Sequence, residues 1–134
     1  LEYSKLFENR SKLFLNSSYN IFEYKNSYYN FDINTPVVSK LTTTLGFIYP
    51  LSSKFTISPL LRYYGDKNLL NGTEIDDVLL TDLTLSYRFS KDSKLSFGAK
   101  NLFDQNYYYY GNKTKDEKML REGRTWFTSF SYDF

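Results

Sequence analysis

Apolar and polar side chains alternate with a period of two along most of the chain, and no segment sustains a helical period. In KLTTTLGFIY the first face carries Leu41, Thr43, Leu45, Phe47 and Tyr49, and the second carries Lys40, Thr42, Thr44, Gly46 and Ile48. KFTISPLLRYY sets Phe55, Ile57, Pro59, Leu61 and Tyr63 against Thr56, Ser58, Leu60, Arg62 and Tyr64. LLTDLTLSYRF sets Leu83, Leu85, Tyr87 and Phe89 against Asp82, Thr84, Ser86 and Arg88, and KLSFGAKNLF sets Leu95, Phe97 and Ala99 against Ser96, Gly98 and Lys100. Upstream, KLFLNSSYNIFEY places Leu13, Leu15, Ser17, Tyr19 and Ile21 together, and residues 1–7 read as the tail of one more strand. The last stretch, REGRTWFTSFSYDF, aligns Trp126, Thr128, Phe130, Tyr132 and Phe134. The pattern therefore predicts six strands plus a partial one, and in the five best of them every charge falls on the second face.

Two all-β architectures separate their faces in this way, a soluble sandwich and a membrane barrel. Strand length favours the barrel, because these runs are about ten residues long, as a tilted bilayer-spanning strand requires. Aromatics stand at the ends of the first face (Tyr49, Phe55, Tyr63, Phe89, Trp126, Tyr132, Phe134), where interfacial girdles belong. The connections alternate as well. Residues 50–53 and 90–93 are tight polar turns, whereas 25–39, 65–78 and 104–122 are long, polar and rich in tyrosine. A cation on a lipid-facing position near the midplane costs roughly 2–4 kcal/mol, which explains why charge is excluded from one face only. The second face, made of Thr, Ser, Asn, Gly and a few charges, reads as a wet or plugged lumen.

Composition sharpens this picture. The 134 residues are 20% aromatic, with 14 Tyr, 12 Phe and 1 Trp, so the apolar content is concentrated in rings. A net charge of +2 with scattered Lys and Arg makes no electrostatic case for nucleic acid. With neither cysteine nor histidine, the chain offers no disulfides, no imidazole or thiolate metal site and no Ser-His-Asp apparatus, so no enzyme, cofactor or metal centre is expected. The first residues, LEYSKLFENR, resemble neither a signal peptide nor a translation start, and the expectation is a piece of a longer chain.

Residues 34–134 resemble the C-terminal end of the TonB-dependent outer-membrane receptors. The resemblance rests on NTPVVSKLTTTLGFIY, on ISPLLRYYGDK, and on LLTDLTLSYRFSKDSKLSFGAKNLFDQNYYY followed by GRTWFTSFSYDF, in that order. It implies an all-β, antiparallel transmembrane β-barrel, of which residues 1–134 are a C-terminal fragment of about six to seven strands. The whole barrel would have roughly 22 strands around a plug. The plug, the motif that engages the energising TonB protein and the earlier strands would lie outside this sequence.

The resemblance also implies a function: energised uptake across the outer membrane of a scarce nutrient, most readily a ferric siderophore. A small structural or adhesin-type barrel is the alternative reading. Long loops would face the exterior, and the C-terminus the periplasm. In such a chain the terminal strand, through Trp126, Phe130, Tyr132 and Phe134, is what the barrel-assembly machinery recognises. The strongest candidate for ligand contact is NLFDQNYYYYGNKTKDEKMLREGR, whose rings and cations suit an anionic aromatic chelate through stacking and cation–π contact. Its candidate contact residues are Tyr107, Tyr109, Arg121 and Arg124, joined by the inward-facing Arg62. The remaining partners expected are outer-membrane lipid and the metal chelate itself.

Deletion of Phe134, or Phe134→Ser, is expected to lower insertion of the intact receptor, because it blunts the terminal aromatic pattern. The amount of heat-modifiable barrel on gels measures this, and unchanged amounts would remove the assembly role.

Overall fold

The computed structural model describes residues 1–21, 38–68, 74–110 and 118–133, without the side chains of Asn68, Tyr110 and Lys118. The strands are β1 (Glu2–Leu6), β2 (Lys12–Tyr19), β3 (Leu41–Pro50), β4 (Phe55–Tyr64), β5 (Lys67–Asn68), β6 (Glu74–Ile75), β7 (Val78–Arg88), β8 (Ser93–Lys100), β9 (Tyr108–Tyr110), β10 (Lys118–Leu120) and β11 (Thr125–Tyr132). Seven of them form one antiparallel meander in the order β1-β2-β3-β4-β7-β8-β11, and two short ribbons, β5-β6 and β9-β10, stand outside it. The six strands and the partial one read from the alternation are the seven strands of this sheet. The ribbons lie inside segments read as long loops.

Serine chemistry closes the short turns. Ser52 Oγ accepts from the amides of Lys54 (3.2 Å) and Phe55 (3.1 Å), and Ser90 Oγ accepts from the Asp92 amide (3.2 Å). Such side-chain acceptors satisfy amides that no ladder reaches. In the first hairpin Arg10 takes φ 65°, and its amide donates to the Phe7 carbonyl at 2.9 Å.

The register keeps the two faces apart across the whole sheet. Leu15 pairs with Leu45 and Leu45 with Leu61, while Ile57 pairs with Leu85 and Leu85 with Phe97. All belong to the first face, and they are open to the outside: Leu85 is 45% exposed, Phe97 48% and Trp126 56%. A contiguous apolar surface of this extent is foreign to a soluble monomer. Rings gather toward its ends, with Phe55, Tyr87 and Phe89 at 4.7 Å centroid spacings and Phe97 stacked on Trp126 at 5.6 Å. Lys5 of β1 also sits on this face, beside the first turn, with its ammonium 5.1 Å from the Phe7 ring. That position lets a long cation reach the interface.

The second face is built from hydroxyl pairs and two rings. Ser18 and Thr42 hydroxyls meet at 2.8 Å, and Ser86 and Ser96 at 2.9 Å. Phe14 pairs with Gly46, and Phe127 with Gly98. Each ring lies in the space that a side chain would fill: a methyl at Gly46 would collide with the Phe14 ring, and one at Gly98 would come within 2.6 Å of both Phe127 and the Leu83 carbonyl. The β3–β4 ladder lacks Phe47 and Ile48, which stand across from Pro59 and Ser58, because Pro59 has no N–H to donate. At the loop end of the second face Leu80 is fully buried, and Ile75 of β6 is buried too.

Charge placed on either face tests this assignment. In the membrane-inserted barrel Leu85→Arg is expected to destabilise by about 2–4 kcal/mol, and Ser129→Arg, on the second face, by under about 1 kcal/mol. Denaturant titration measures both, and a larger cost for Ser129→Arg would reverse the faces.

Candidate functional site

The loop end of β8 is organised by one short motif. Immediately after Lys100, Asn101 turns into the left-handed region (φ 50°) and is almost fully buried, as its side chain closes the following turn. Asn101 Nδ2 donates to the Gln105 carbonyl and Oδ1 accepts the Gln105 amide, both at 2.9 Å. The Leu102 amide donates to the Thr81 carbonyl at 2.7 Å, which fastens the turn to β7. Asp104, at φ 56°, accepts the Arg124 amide on Oδ1 at 2.6 Å and so fixes where the chain returns into β11. Asn and Asp tolerate positive φ and bond their own backbone, which is why NLFD forms this turn.

Asp82 joins the turn to the sheet. Its Oδ1 accepts both the Arg62 Nη2 donor at 2.8 Å and the Asn101 amide at 2.9 Å. The pair is mostly shielded, with side-chain exposures of 26% for Arg62 and 14% for Asp82. Arg62 Nε is buried and has no hydrogen-bond partner among the described residues.

Above this pair the β9–β10 ribbon leans over the sheet. The Arg121 amide donates to the Tyr107 carbonyl at 2.9 Å, and the Arg121 guanidinium lies 4.3 Å from the centroid of the Tyr109 ring. Between ribbon and sheet is a recess of about 200 Å³, lined by Arg62, Tyr64, Gly65, Lys67, Asp76, Val78, Tyr107, Tyr108, Tyr109 and Arg121. Half-burial and the charge of Arg121 hold the Lys67 ammonium below the ordinary lysine pKa, burial being the larger cause. The lining offers flat rings, three cations and one carboxylate.

Of the five ligand candidates named from the sequence, four meet here: Tyr107, Tyr109, Arg121 and Arg62. Arg124 does not. Its Nη1 donates to the Leu102 carbonyl at 3.3 Å and its guanidinium lies 5.9 Å from the Trp126 ring, which places it at the loop base on the first face. Trp126, Phe130 and Tyr132 all stand on the first face of β11, and Phe134 lies outside the described residues. So do Lys113 and Lys115 of the same loop. Sequence reading missed Tyr64, Lys67 and Asp76, while Tyr108 belongs to the tyrosine run it singled out. Tyr64 continues the even-numbered face beyond Arg62 and was legible by period two, whereas Lys67 reaches the recess only because β5–β6 folds back.

A second recess, of about 220 Å³, opens at the turn end of the second face among Arg10, Lys54, Arg88 and Lys94. Arg88 and Lys94 are paired directly across the ladder. Among the described residues no group of three His, Cys, Asp or Glu side chains could hold a metal ion.

No protein-family model matches the sequence. The vitamin B12 transporter BtuB of Vibrio vulnificus is 28% identical over 83 residues, which are 62% of this chain and 13% of that one. The ferric enterobactin receptor PfeA of Pseudomonas aeruginosa superposes on 99% of this chain with a TM-score of 0.75 at 17% identity. The copper transporter OprC does so on 98% with a TM-score of 0.73 at 21% identity, and the siderophore receptor PirA of Acinetobacter baumannii on 99% with 0.73 at 17%. The chain spans only 21–22% of these structures. Its fold is that of a section of the TonB-dependent receptor barrel wall, as the sequence motifs led one to expect.

Asp82→Ala is expected to cost about 2 kcal/mol, because it strands a half-buried guanidinium and an amide together. Combining it with Arg62→Met should recover part of that loss. Urea titration of the single and double variants measures both, and strictly additive losses would dissolve the coupling.

Proposed function

We propose that residues 1–134 are the C-terminal portion of an outer-membrane receptor barrel, and that the receptor captures an anionic metal chelate, a ferric siderophore above all, for energised import. The observation that carries this reading is the meeting of three consecutive tyrosines, Tyr107 to Tyr109, with Arg62, Lys67 and Arg121 in a single recess at the loop end of the sheet. Flat rings and clustered cations suit a bulky aromatic anion. They suit a bare copper ion poorly, since the lining has no imidazole, thiolate or thioether donor.

In this reading the loop end faces the exterior and the turn end the periplasm. The first face meets lipid, and the second meets the plug. Chelate bound above the sheet waits for the inner-membrane TonB protein to act on a region outside this sequence. The terminal strand, carrying Trp126, Phe130 and Tyr132 on one face, is the element the assembly machinery engages. The names of PfeA and PirA, receptors for a ferric chelate and a siderophore, support the cargo class, while BtuB and OprC mark the range of cargo that this architecture accommodates.

Replacing Tyr107, Tyr109 and Arg121 together by Ala is expected to weaken chelate binding to whole cells tenfold or more, through loss of contacts worth roughly 0.5–2 kcal/mol each. The deficit should shrink at high salt. Arg124→Ala should instead lower the amount of folded receptor while leaving affinity per receptor near wild type. Equal affinity of the triple variant and wild type at matched surface levels, in low salt, would move the cargo site elsewhere.

A further inference from the structure

At the turn end of the second face, four cations converge from four separate elements. Arg10 comes from the β1–β2 turn, Lys54 from the β3–β4 turn, Arg88 from the end of β7 and Lys94 from the start of β8, around a recess of about 220 Å³. The rest of the lining is Ile48, Pro50 and four hydroxyl side chains, with no carboxylate among them. The chain on either side of each cation, residues 6–12, 48–56 and 86–96, is described throughout.

Folding of the sheet does not call for this arrangement. Arg88 and Lys94 stand directly opposite each other across the β7–β8 ladder, where like charges are destabilising. Arg10 occupies a left-handed position that Gly or Asn would take at less cost. The main chain nevertheless fixes the root of each cation. The Arg88 amide donates to the Lys54 carbonyl at 2.8 Å and so ties two neighbouring hairpins together, while Ser52 Oγ accepts the Lys54 amide at 3.2 Å. The Arg10 amide is bonded to the Phe7 carbonyl, and Lys94 stands within the β7–β8 ladder. Four charges on fixed supports make a basin that is pre-organised for several anionic groups at once.

The faces decide what can reach it. Phe55, Tyr87 and Phe89 occupy the same end of the sheet on the opposite face, so lipid headgroups meet those rings and not the basin. An occupant has to lie in the lumen. Charges spread over four elements are balanced by a polypeptide carrying several carboxylates better than by one small anion, and the hydroxyls of Ser52 and Ser86 add partners for its main chain. Resting on the receptor reading above, we propose that this basin is a dock for an acidic segment of the plug, whose carboxylates lie against Arg10, Lys54, Arg88 and Lys94. The wall neutralises its other inward cation by itself, Arg62 with Asp82, and leaves the turn-end charges to the plug. The dock holds the plug at the end of the barrel opposite the tyrosine-lined recess.

The test joins carboxylates to amines where they lie. Full-length receptor in detergent at low ionic strength is treated with a water-soluble carbodiimide, which links a carboxylate to an adjacent lysine amine with loss of water, and mass spectrometry identifies the linked peptides. Lys54 and Lys94 are expected to be joined to Asp or Glu side chains of the plug. Replacing Arg10, Lys54, Arg88 and Lys94 together by Gln should leave the heat-modifiable barrel in place and lower by about 1 M the urea concentration at which the plug opens to protease. Coupling confined to Asp92, Asp133 or other carboxylates of the barrel wall would overturn the dock. So would an absence of coupling in wild type while inorganic phosphate shields both lysines from acetylation, which would make the basin a small-ion site. If the chain upstream of Leu1 consists of barrel strands alone, the receptor reading itself fails and the dock with it, whereas a plug that is present yet uncoupled sinks the dock alone.

Discussion

A slip of one residue between any two strands would turn Leu85 or Phe97 inward and set Arg62, Asp82 or Arg88 among the exposed rings of the opposite face. Everything else in the molecule depends on that not happening. Against hydrocarbon a single misplaced cation costs several times the thermal energy, and each unpaired main-chain group costs several kcal/mol more. Length and register of the ladder are thus set by the surroundings of one face, while the other face is free to carry chemistry. The cations gathered at the turn end of the second face, Arg88 and Lys94 among them, have no ion pair among the described residues and are tolerated because that face has no hydrocarbon to satisfy.

Rigidity then passes from the sheet to the loop end through very few atoms. A single carboxylate oxygen, Asp82 Oδ1, holds the cation at the floor of the recess and the first amide of the turn that leads to the tyrosines. Asn101 and Asp104 convert the end of a strand into the base of a ribbon by bonding their own backbone. The recess therefore belongs to the barrel wall more than to a loose loop, even though most of its lining comes from outside the main strands.

Much of this was legible in the residues. Period two located the seven strands and sorted their faces, since alternation is a direct readout of a two-sided environment. Arg62 was placed inward by the same count. What escaped was whatever depended on contacts between segments distant in sequence. Arg124 reads as a loop cation beside Arg121, yet its guanidinium is spent on the Leu102 carbonyl and the Trp126 ring. Lys67 looks like one more surface charge, and only the fold-back of β5 onto β6 brings it beside Arg121. The rings of Phe14 and Phe127 break the polar pattern of the second face, and alternation alone offers no account of them.

Those two rings bear on a problem that alternation leaves open. A slip of two residues keeps every side chain on its proper face, so neither lipid nor lumen would reject it. Sliding β2 against β3 by two would bring Phe14 opposite Thr44 or Ile48 in place of Gly46, and sliding β8 against β11 would bring Phe127 opposite Ser96 or Lys100 in place of Gly98. In each case the space under the ring closes. The phenyl-over-glycine contacts act as keys cut for the even-numbered misalignments, one on each flank of the sheet. A strand pair two residues out of register thus meets a clash of its own, independent of what surrounds the sheet.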